Sequence, residues 1–190
     1  MIRIMSPQAR SVLAAALAAA LLALLPPAPA RGCTIVVAGR KATVDGSVIT
    51  SHTDACENSR LVYVPAARHA KGGMAPVYWG LQDPAVRHGQ WEVIGEIPQV
   101  ESTYAYFHSG YSHINEHQLA IGESTTSQRA QLGLEKGEGE QIITIEQAMI
   151  FALQRCRKAR DAVELITSLV DEYGFLPSCG PESETLAIAD

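Results

Sequence analysis

The sequence predicts an α+β fold in which short strands come first, two helices follow and a last strand closes the chain. Short runs of β-branched and other apolar residues recur between residues 33 and 121, as strands require. Two stretches between residues 145 and 173 repeat apolar residues at the helical period. Residues 185–189 (TLAIA) form a final apolar run. Because strands and helices are segregated along the chain, the α+β class is favoured.

Residues 1–32 have the layout of a secretory signal peptide. Residues 1–10 contain two arginines and no acid, residues 11–25 are Ala, Leu and Val with a single Ser, and prolines and small residues follow. The apolar run of 15 residues is shorter than the about 20 that span a bilayer. We therefore predict a secreted, periplasmic or otherwise extracytoplasmic protein, with no stable membrane insertion after signal removal.

The cleavage point decides what becomes of Cys33. Cleavage after Gly32 would expose Cys33 as the first residue, whereas cleavage after Ala30 would require later trimming. Acylation of Cys33 in a lipid-anchored protein is a third alternative, which the charge of Arg31 disfavours. The sequence leaves these alternatives open.

Residues 33–190 are predicted to form the N-terminal part of one domain, and the apolar strand at the very end indicates a fragment of a longer protein. Three of the 15 basic residues lie in the signal segment, which leaves 12 against 20 acidic residues. A portion this acidic, without a basic cluster, is not expected to bind nucleic acid. The oligomeric state stays open, and a homo-oligomer is compatible with the sequence.

The first two strands are predicted to form a hairpin. Residues 33–38 (CTIVVA) have the composition of a buried strand, an Asp-Gly turn signal follows at residues 45–46, and residues 47–52 (SVITSH) return. Asp54 comes just after the return strand. The hairpin would therefore bring Asp54 back toward Cys33.

The later elements end in two amphipathic helices. Thr144 is a candidate N-cap of the first helix, with Gln147 completing a capping box. Its apolar stripe covers residues 145–156, the second stripe covers residues 162–173, and Gly174 can end the second helix. Before them, strands are predicted at residues 61–64, 77–79, 104–107 and 119–121, and residues 65–90 are expected to be mostly loops.

Four cysteines, Cys33, Cys56, Cys156 and Cys179, occur in the chain. In an exported protein they could form two disulfides in three connectivities. No CxxC pair is present, so a zinc site is not indicated. If Cys33 keeps its thiol, Cys156 and Cys179 are the best candidates for a bridge, whereas a Cys33–Cys56 disulfide would remove the reactive thiol.

The histidines raise the question of a metal site. His52, His108, His113 and His117 lie in the middle of the chain. The HxxxH pair His113 and His117 would suit two metal ligands only on a helix, and the residues between them have the character of a turn. We predict no metal and no cofactor.

At a mature N-terminus, Cys33 would carry a nucleophile and a base in the same residue. A free thiol has a pKa of about 8.5 and an α-amino group one of about 8, so the amine can accept the thiol proton. An N-terminal Thr is activated by its own amine in the same way. Asp54 could then orient the ammonium, and the amide of Asn115 could donate a hydrogen bond to the oxyanion of the intermediate.

The residues that carry this chemistry resemble a known family. CTIVVAGRKATVDGSVITSHTDA, and NEHQLAIGE further on, are similar to motifs of the secreted dipeptidase family of N-terminal-nucleophile cysteine peptidases. That family is related to penicillin V acylases and bile salt hydrolases. The resemblance runs from Cys33 to the last residue.

The resemblance implies an αββα sandwich, incomplete at the C-terminus, and hydrolysis of short peptides through a thioester. It implies that processing exposes Cys33 as nucleophile and base. Asp54 matches the acid after the second strand, and Asn115 matches the motif asparagine near the oxyanion site. One departure concerns Ser51, since penicillin-acylase relatives have an arginine three residues before that acid.

Other interpretations of the same residues are retained. The enzyme could instead be an acyl-amide hydrolase of the penicillin or bile-salt amidase type. The chain could also be a non-catalytic binding domain that is stabilised by disulfides or anchored by a lipid. In that case Cys33 would be a buried strand cysteine, and Asp54 and Asn115 would be turn residues.

Overall fold

A computed structural model of the chain describes residues 33–53 and 60–190. Over these ranges the order of elements agrees with the predicted α+β class, since strands precede two helices and one strand follows them. The predicted signal segment, Asp54 and Cys56 lie outside the described residues. Within the two described ranges, no helix combines the length and the apolar character needed to cross a bilayer.

The strands are short and pair in antiparallel fashion. They are β1 (Thr34–Ala38), β2 (Ile49–Thr53), β3 (Val62–Val64), β4 (Ala67–Arg68), β5 (Met74–Trp79), β6 (Glu92–Pro98), β7 (Ser102–Thr103), β8 (Tyr106–His108), β9 (Ile114–Asn115), β10 (Ala120–Thr126) and β11 (Ser183–Ala189). The helices are α1 (Ile145–Arg155) and α2 (Ala159–Tyr173), and Ala130–Leu132 forms a 3-10 turn. In the described part of the chain, the largest sheet has the order β11-β10-β9-β8-β3, and β1-β2, β4-β7 and β5-β6 form separate pairs.

The predicted hairpin of the first two strands is confirmed. β1 and β2 pair with Thr34 opposite Thr53. In the predicted turn, Gly46 has a φ of 75°, and the carboxylate of Asp45 accepts a hydrogen bond from the N–H of Ser47 at 3.0 Å. This is the local hydrogen bond that favours Asp at a turn. β2 therefore ends beside the first residue of β1.

The alternation of side chains along β10 indicates that the elements around this strand form three layers. Gly122 faces the hairpin, since a Cβ there would lie 3.2 Å from the hydroxyl of Thr50 and 3.5 Å from the Cβ of His52. Its neighbour Ile121 is buried in the core with residues of both helices. Because successive side chains of a strand point to opposite faces, the layers are helices, five-stranded sheet and hairpin. The αββα sandwich stays a prediction.

Helix α1 lies at the centre of the hydrophobic core. Thr144 caps it as predicted, and its hydroxyl accepts from the N–H of Gln147 at 3.3 Å. The side chain of Gln147 accepts instead from the N–H of Tyr78 at 2.9 Å, which ties α1 to β5. Residues 145–153 are all buried. A helix buried on every face is enclosed by other elements, here the sheet, the β5-β6 pair and α2.

Strand β6 is the main element that the sequence did not predict. Its residues include Gly95 and Pro98, which argue against a strand in a sequence pattern. In the structure, a Cβ at position 95 would lie 2.7 Å from Cδ1 of Ile142. The absence of a side chain at position 95 thus leaves room for Ile142, which packs against the core. Its partner β5 also extends into residues that were expected to be loop.

Candidate active site

Cys33 directly precedes β1, at the end of the hairpin, and is half-buried. Its carbonyl oxygen accepts a hydrogen bond from the hydroxyl of Ser124 on β10, at 3.2 Å. Ser124 lies on the same face of β10 as Gly122, the face that meets the hairpin. The residue predicted to be the nucleophile is therefore held by the sheet beneath it.

Asp54 lies outside the described residues, but the strand that leads to it is described. Its neighbour Thr53 stands opposite Thr34, and the hydroxyl of Thr53 accepts from the N–H of Thr34 at 3.1 Å. The return of the second strand toward Cys33 is confirmed. The position and the role of Asp54 stay predictions.

Asn115 is buried, with 5% of its surface exposed. Its amide nitrogen donates to the carbonyl oxygens of Leu153 and Cys156, both at 2.8 Å. Its amide oxygen accepts from the N–H groups of His117 at 3.0 Å and Leu119 at 3.1 Å. Asn115 thus joins the β9–β10 turn to the end of α1, which supports the turn-residue interpretation. The oxyanion role stays a prediction that requires one of these hydrogen bonds to break.

A chain of hydrogen bonds, here called the histidine chain, joins the hairpin to the loop before β9. His52 Nδ1 receives the N–H of Glu123 at 3.0 Å, and His52 Nε2 lies 3.2 Å from His113 Nδ1. On its other side, His113 Nε2 lies 3.1 Å from the hydroxyl of Ser109. Burial, reinforced by the neighbouring His52, lowers the pKa of His113. The neutral imidazole is therefore favoured.

The other two histidines of the predicted set lie apart from the histidine chain. His108 is buried, and its ring packs against His88 and Trp91 with centroid distances of 5.2 and 5.1 Å. Burial lowers the pKa of His108 to about 4. His117 lies in a turn after a short strand, not on a helix. Across residues 33–53 and 60–190, no three His, Cys, Asp or Glu side chains are arranged to hold a metal ion.

The expected bridge between Cys156 and Cys179 is wrong, since both residues are free thiols. Cys156 is buried after the last turn of α1, where burial raises its pKa to about 11. Cys179 has a different neighbour, the hydroxyl of Tyr111, which lies 2.8 Å from its Sγ. The expectation depended on cysteine count and export alone, and neither of these determines which cysteines meet in the fold.

A second group of polar side chains surrounds the buried carboxylate of Glu146 at the start of α1. The carboxylate of Glu146 accepts from the amide of Gln82 at 2.6 Å and from the hydroxyl of Ser178 at 2.7 Å. The hydroxyl of Tyr111 donates to the side-chain amide oxygen of Gln82 at 3.2 Å. Burial raises the pKa of Glu146 and that of Cys179. The thiol of Cys179 is therefore kept neutral, which is unfavourable for a nucleophile.

An open cavity of about 320 Å³ lies where the hairpin meets the sheet. Its walls include Thr50 and His52 of β2, together with His113 and Ala120. Since His52 stands opposite Ile35, two residues after the predicted nucleophile, the cavity adjoins that end of the hairpin. Its volume lies at the lower end of the range for small-molecule sites.

Sequence reasoning did not identify Ser124 or the contacts of His52. Ser124 is 91 residues from Cys33, and its contact depends on which face of the sheet the hairpin covers. Alternation along β2 puts His52 on the same face as Thr50. Alternation alone does not show which face of β2 meets the sheet, so it could not identify the contacts of His52.

A family model described as Peptidase family C69 matches residues 32–190. The match begins one residue before Cys33 and covers all of the elements described above.

Proposed function

The chain belongs to peptidase family C69, a family of cysteine peptidases, and we propose that it hydrolyses the amide bond of dipeptides with Cys33 as an N-terminal nucleophile. The observation that carries the proposal is the start of the family match, immediately before Cys33. A short peptide is the proposed substrate. Export and removal of residues 1–32 are part of the proposal, because the amine of Cys33 exists only after processing.

The surroundings of the other described thiols support this choice of nucleophile. Burial raises the pKa of Cys156 and of Cys179, so that few of these thiols ionise near neutral pH. Cys33 is half-buried, and it lies at the end of the hairpin whose second strand lines an open cavity.

In the proposed reaction, the amine of processed Cys33 takes the thiol proton, and the thiolate attacks the scissile carbonyl carbon. Asn115 is proposed to donate to the resulting oxyanion, and Asp54 to orient the ammonium. Collapse breaks the C–N bond, and the ammonium gives its proton to the leaving amine. A thioester on Cys33 remains. Water then attacks the thioester, which releases the acid and restores the thiol.

N-terminal sequencing of the mature protein, with dipeptide assays, tests the proposal. We expect Cys33 as the first residue and loss of hydrolysis to background in Cys33→Ala. Cys179→Ser is the matched control and should keep most of the activity. A first residue of Arg31, a lipid on Cys33, or dipeptide hydrolysis by Cys33→Ala would contradict the proposal. Hydrolysis of acyl amides but not of dipeptides would keep the nucleophile and change the substrate.

A further inference from the structure

Two neighbouring residues of β10 form hydrogen bonds with the hairpin, one on the side of each of its two strands. The N–H of Glu123 donates to His52 Nδ1 on β2 at 3.0 Å, and the hydroxyl of Ser124 donates to the carbonyl of Cys33 at 3.2 Å. His52 and Cys33 lie at the same end of the hairpin, since Thr53 stands opposite Thr34. Together, the two contacts fix this end of the hairpin on the sheet.

The hydrogen bonds of Ser109, at one end of the histidine chain, determine where the protons of the chain lie. Ser109 has one hydroxyl proton, and its 2.5 Å contact with the carbonyl of Tyr111 uses it. His113 must then donate from Nε2 to Ser109 and accept at Nδ1 from the Nε2–H of His52. His52 is left with an unprotonated Nδ1, which accepts the N–H of Glu123. The carbonyl of Glu123 lies 3.2 Å from the same nitrogen, and a neutral His52 with its proton on Nδ1 would reverse the hydrogen bonds to His113 and Ser109.

This direction requires His113 to be neutral, because a second proton would place its Nδ1–H opposite the Nε2–H of His52. A second proton on His52 would exchange its contact with the N–H of Glu123 for one with the carbonyl of Glu123, and would leave the rest of the chain unchanged. The burial of His113 acts in the same sense, because it lowers the pKa of that ring. The contact between His52 and His113 is therefore made by a proton on His52 Nε2.

We propose that His52, supported by the histidine chain, and Ser124 are positioning residues that set where Cys33 lies over the sheet when it attacks the substrate. The inference rests on the proposed function of Cys33. Each acts on the nucleophile indirectly: Ser124 binds its backbone carbonyl, and His52 holds the paired strand. A misplacement of about 1 Å can cost about 100-fold in rate, so small shifts of the hairpin matter.

Substitutions at Ser124 separate positioning from packing. We expect Ser124→Ala to lower kcat about 10- to 100-fold with KM changed by less than about threefold. Ser124→Thr keeps the hydroxyl and should restore most of the rate. Thr126→Ala, at an exposed position on the same face of β10, is the control and should keep the wild-type rate. Wild-type kcat in Ser124→Ala, or a loss that Ser124→Thr does not restore, overturns the proposal.

Substitutions at His52 test the other contact. We expect His52→Leu to lower kcat by a similar factor. His52→Asn can present an amide oxygen to the N–H of Glu123 and should recover part of the loss. Equal kcat for the wild type and His52→Leu would overturn the role of this residue.

The tautomers can be measured without a substrate, by ¹⁵N NMR of the histidine rings in the mature protein near pH 7. We expect a neutral His113 with its proton on Nε2, and a proton on Nε2 of His52. An unprotonated Nε2 on His52 would overturn the histidine chain. The two proposals are thereby distinguished: an inactive protein with the expected tautomers counts against the dipeptidase function, and an active one with other tautomers counts against this inference.

Discussion

Asn115 illustrates, at the scale of single residues, how a polar side chain of a sequence motif can serve the fold. Its amide makes four hydrogen bonds, to the end of α1 and within its own turn. We expect Asn115→Asp to lower the free energy of unfolding by about 2–4 kcal/mol, because a carboxylate oxygen would face the carbonyls of Leu153 and Cys156. Urea unfolding measures the change.

A control for this substitution lies in the same turn. Gln118 has a φ of 64°, in the left-handed region that favours glycine. Gln118→Gly should leave the free energy of unfolding unchanged or raise it by up to about 1 kcal/mol. If Asn115→Asp proves as stable as Gln118→Gly, the amide of Asn115 is not essential to the turn. That result would support the oxyanion role of Asn115.

His108 predicts a loss of stability in acid. Burial lowers its pKa from 6.5 to about 4, so the unfolded chain binds this proton more readily than the folded one. The free energy of unfolding is therefore highest above pH 6.5, falls as the pH drops toward 4, and then levels off. The loss due to His108 is up to about 3 kcal/mol. Unfolding at pH 7 and pH 4.5 should show a smaller difference in His108→Asn than in the wild type. The same difference in both proteins would contradict the assignment.

At the scale of elements, strand β6 depends on the absence of one side chain. Gly95→Ala would place a Cβ 2.7 Å from Cδ1 of Ile142, and we expect a loss of about 1–3 kcal/mol in stability from this overpacking. Ile142→Val removes Cδ1 and should recover part of that loss in the double variant, as a double-mutant cycle would show. Gly39, which has open space around it, supplies the control Gly39→Ala. Additive losses in the double variant would refute the close contact.

The elements that the sequence predicted correctly carry their signal within a few residues. The hairpin turn has its Asp-Gly pair, and α1 has Thr144 as its cap. β6 could not be predicted, because Gly95 is explained only by Ile142, a residue 47 positions further on. The side chain of Gln147 was likewise expected to complete a capping box, but it accepts a hydrogen bond from the backbone of Tyr78 instead. Local chemistry fixes where elements begin and end, and packing between distant segments decides the rest.

At the scale of the whole molecule, the candidate site forms where the hairpin meets the five-stranded sheet. The sequence predicted Cys33 and the return of the second strand toward it. It could not predict Ser124 or the pairing of His52 with His113, because these contacts need the order of the layers. The αββα sandwich and the role of Asp54 stay predictions.

The hydrogen bond between Ser124 and Cys33 has a consequence for the proposed removal of residues 1–32. The oxygen that it grips belongs to the peptide unit joining Cys33 to Thr34. Scission on the other side of Cys33 leaves that unit chemically unchanged. If residues 1–32 are removed as proposed, this hydrogen bond can therefore be the same before and after their removal, and the hairpin needs no new contact with the sheet.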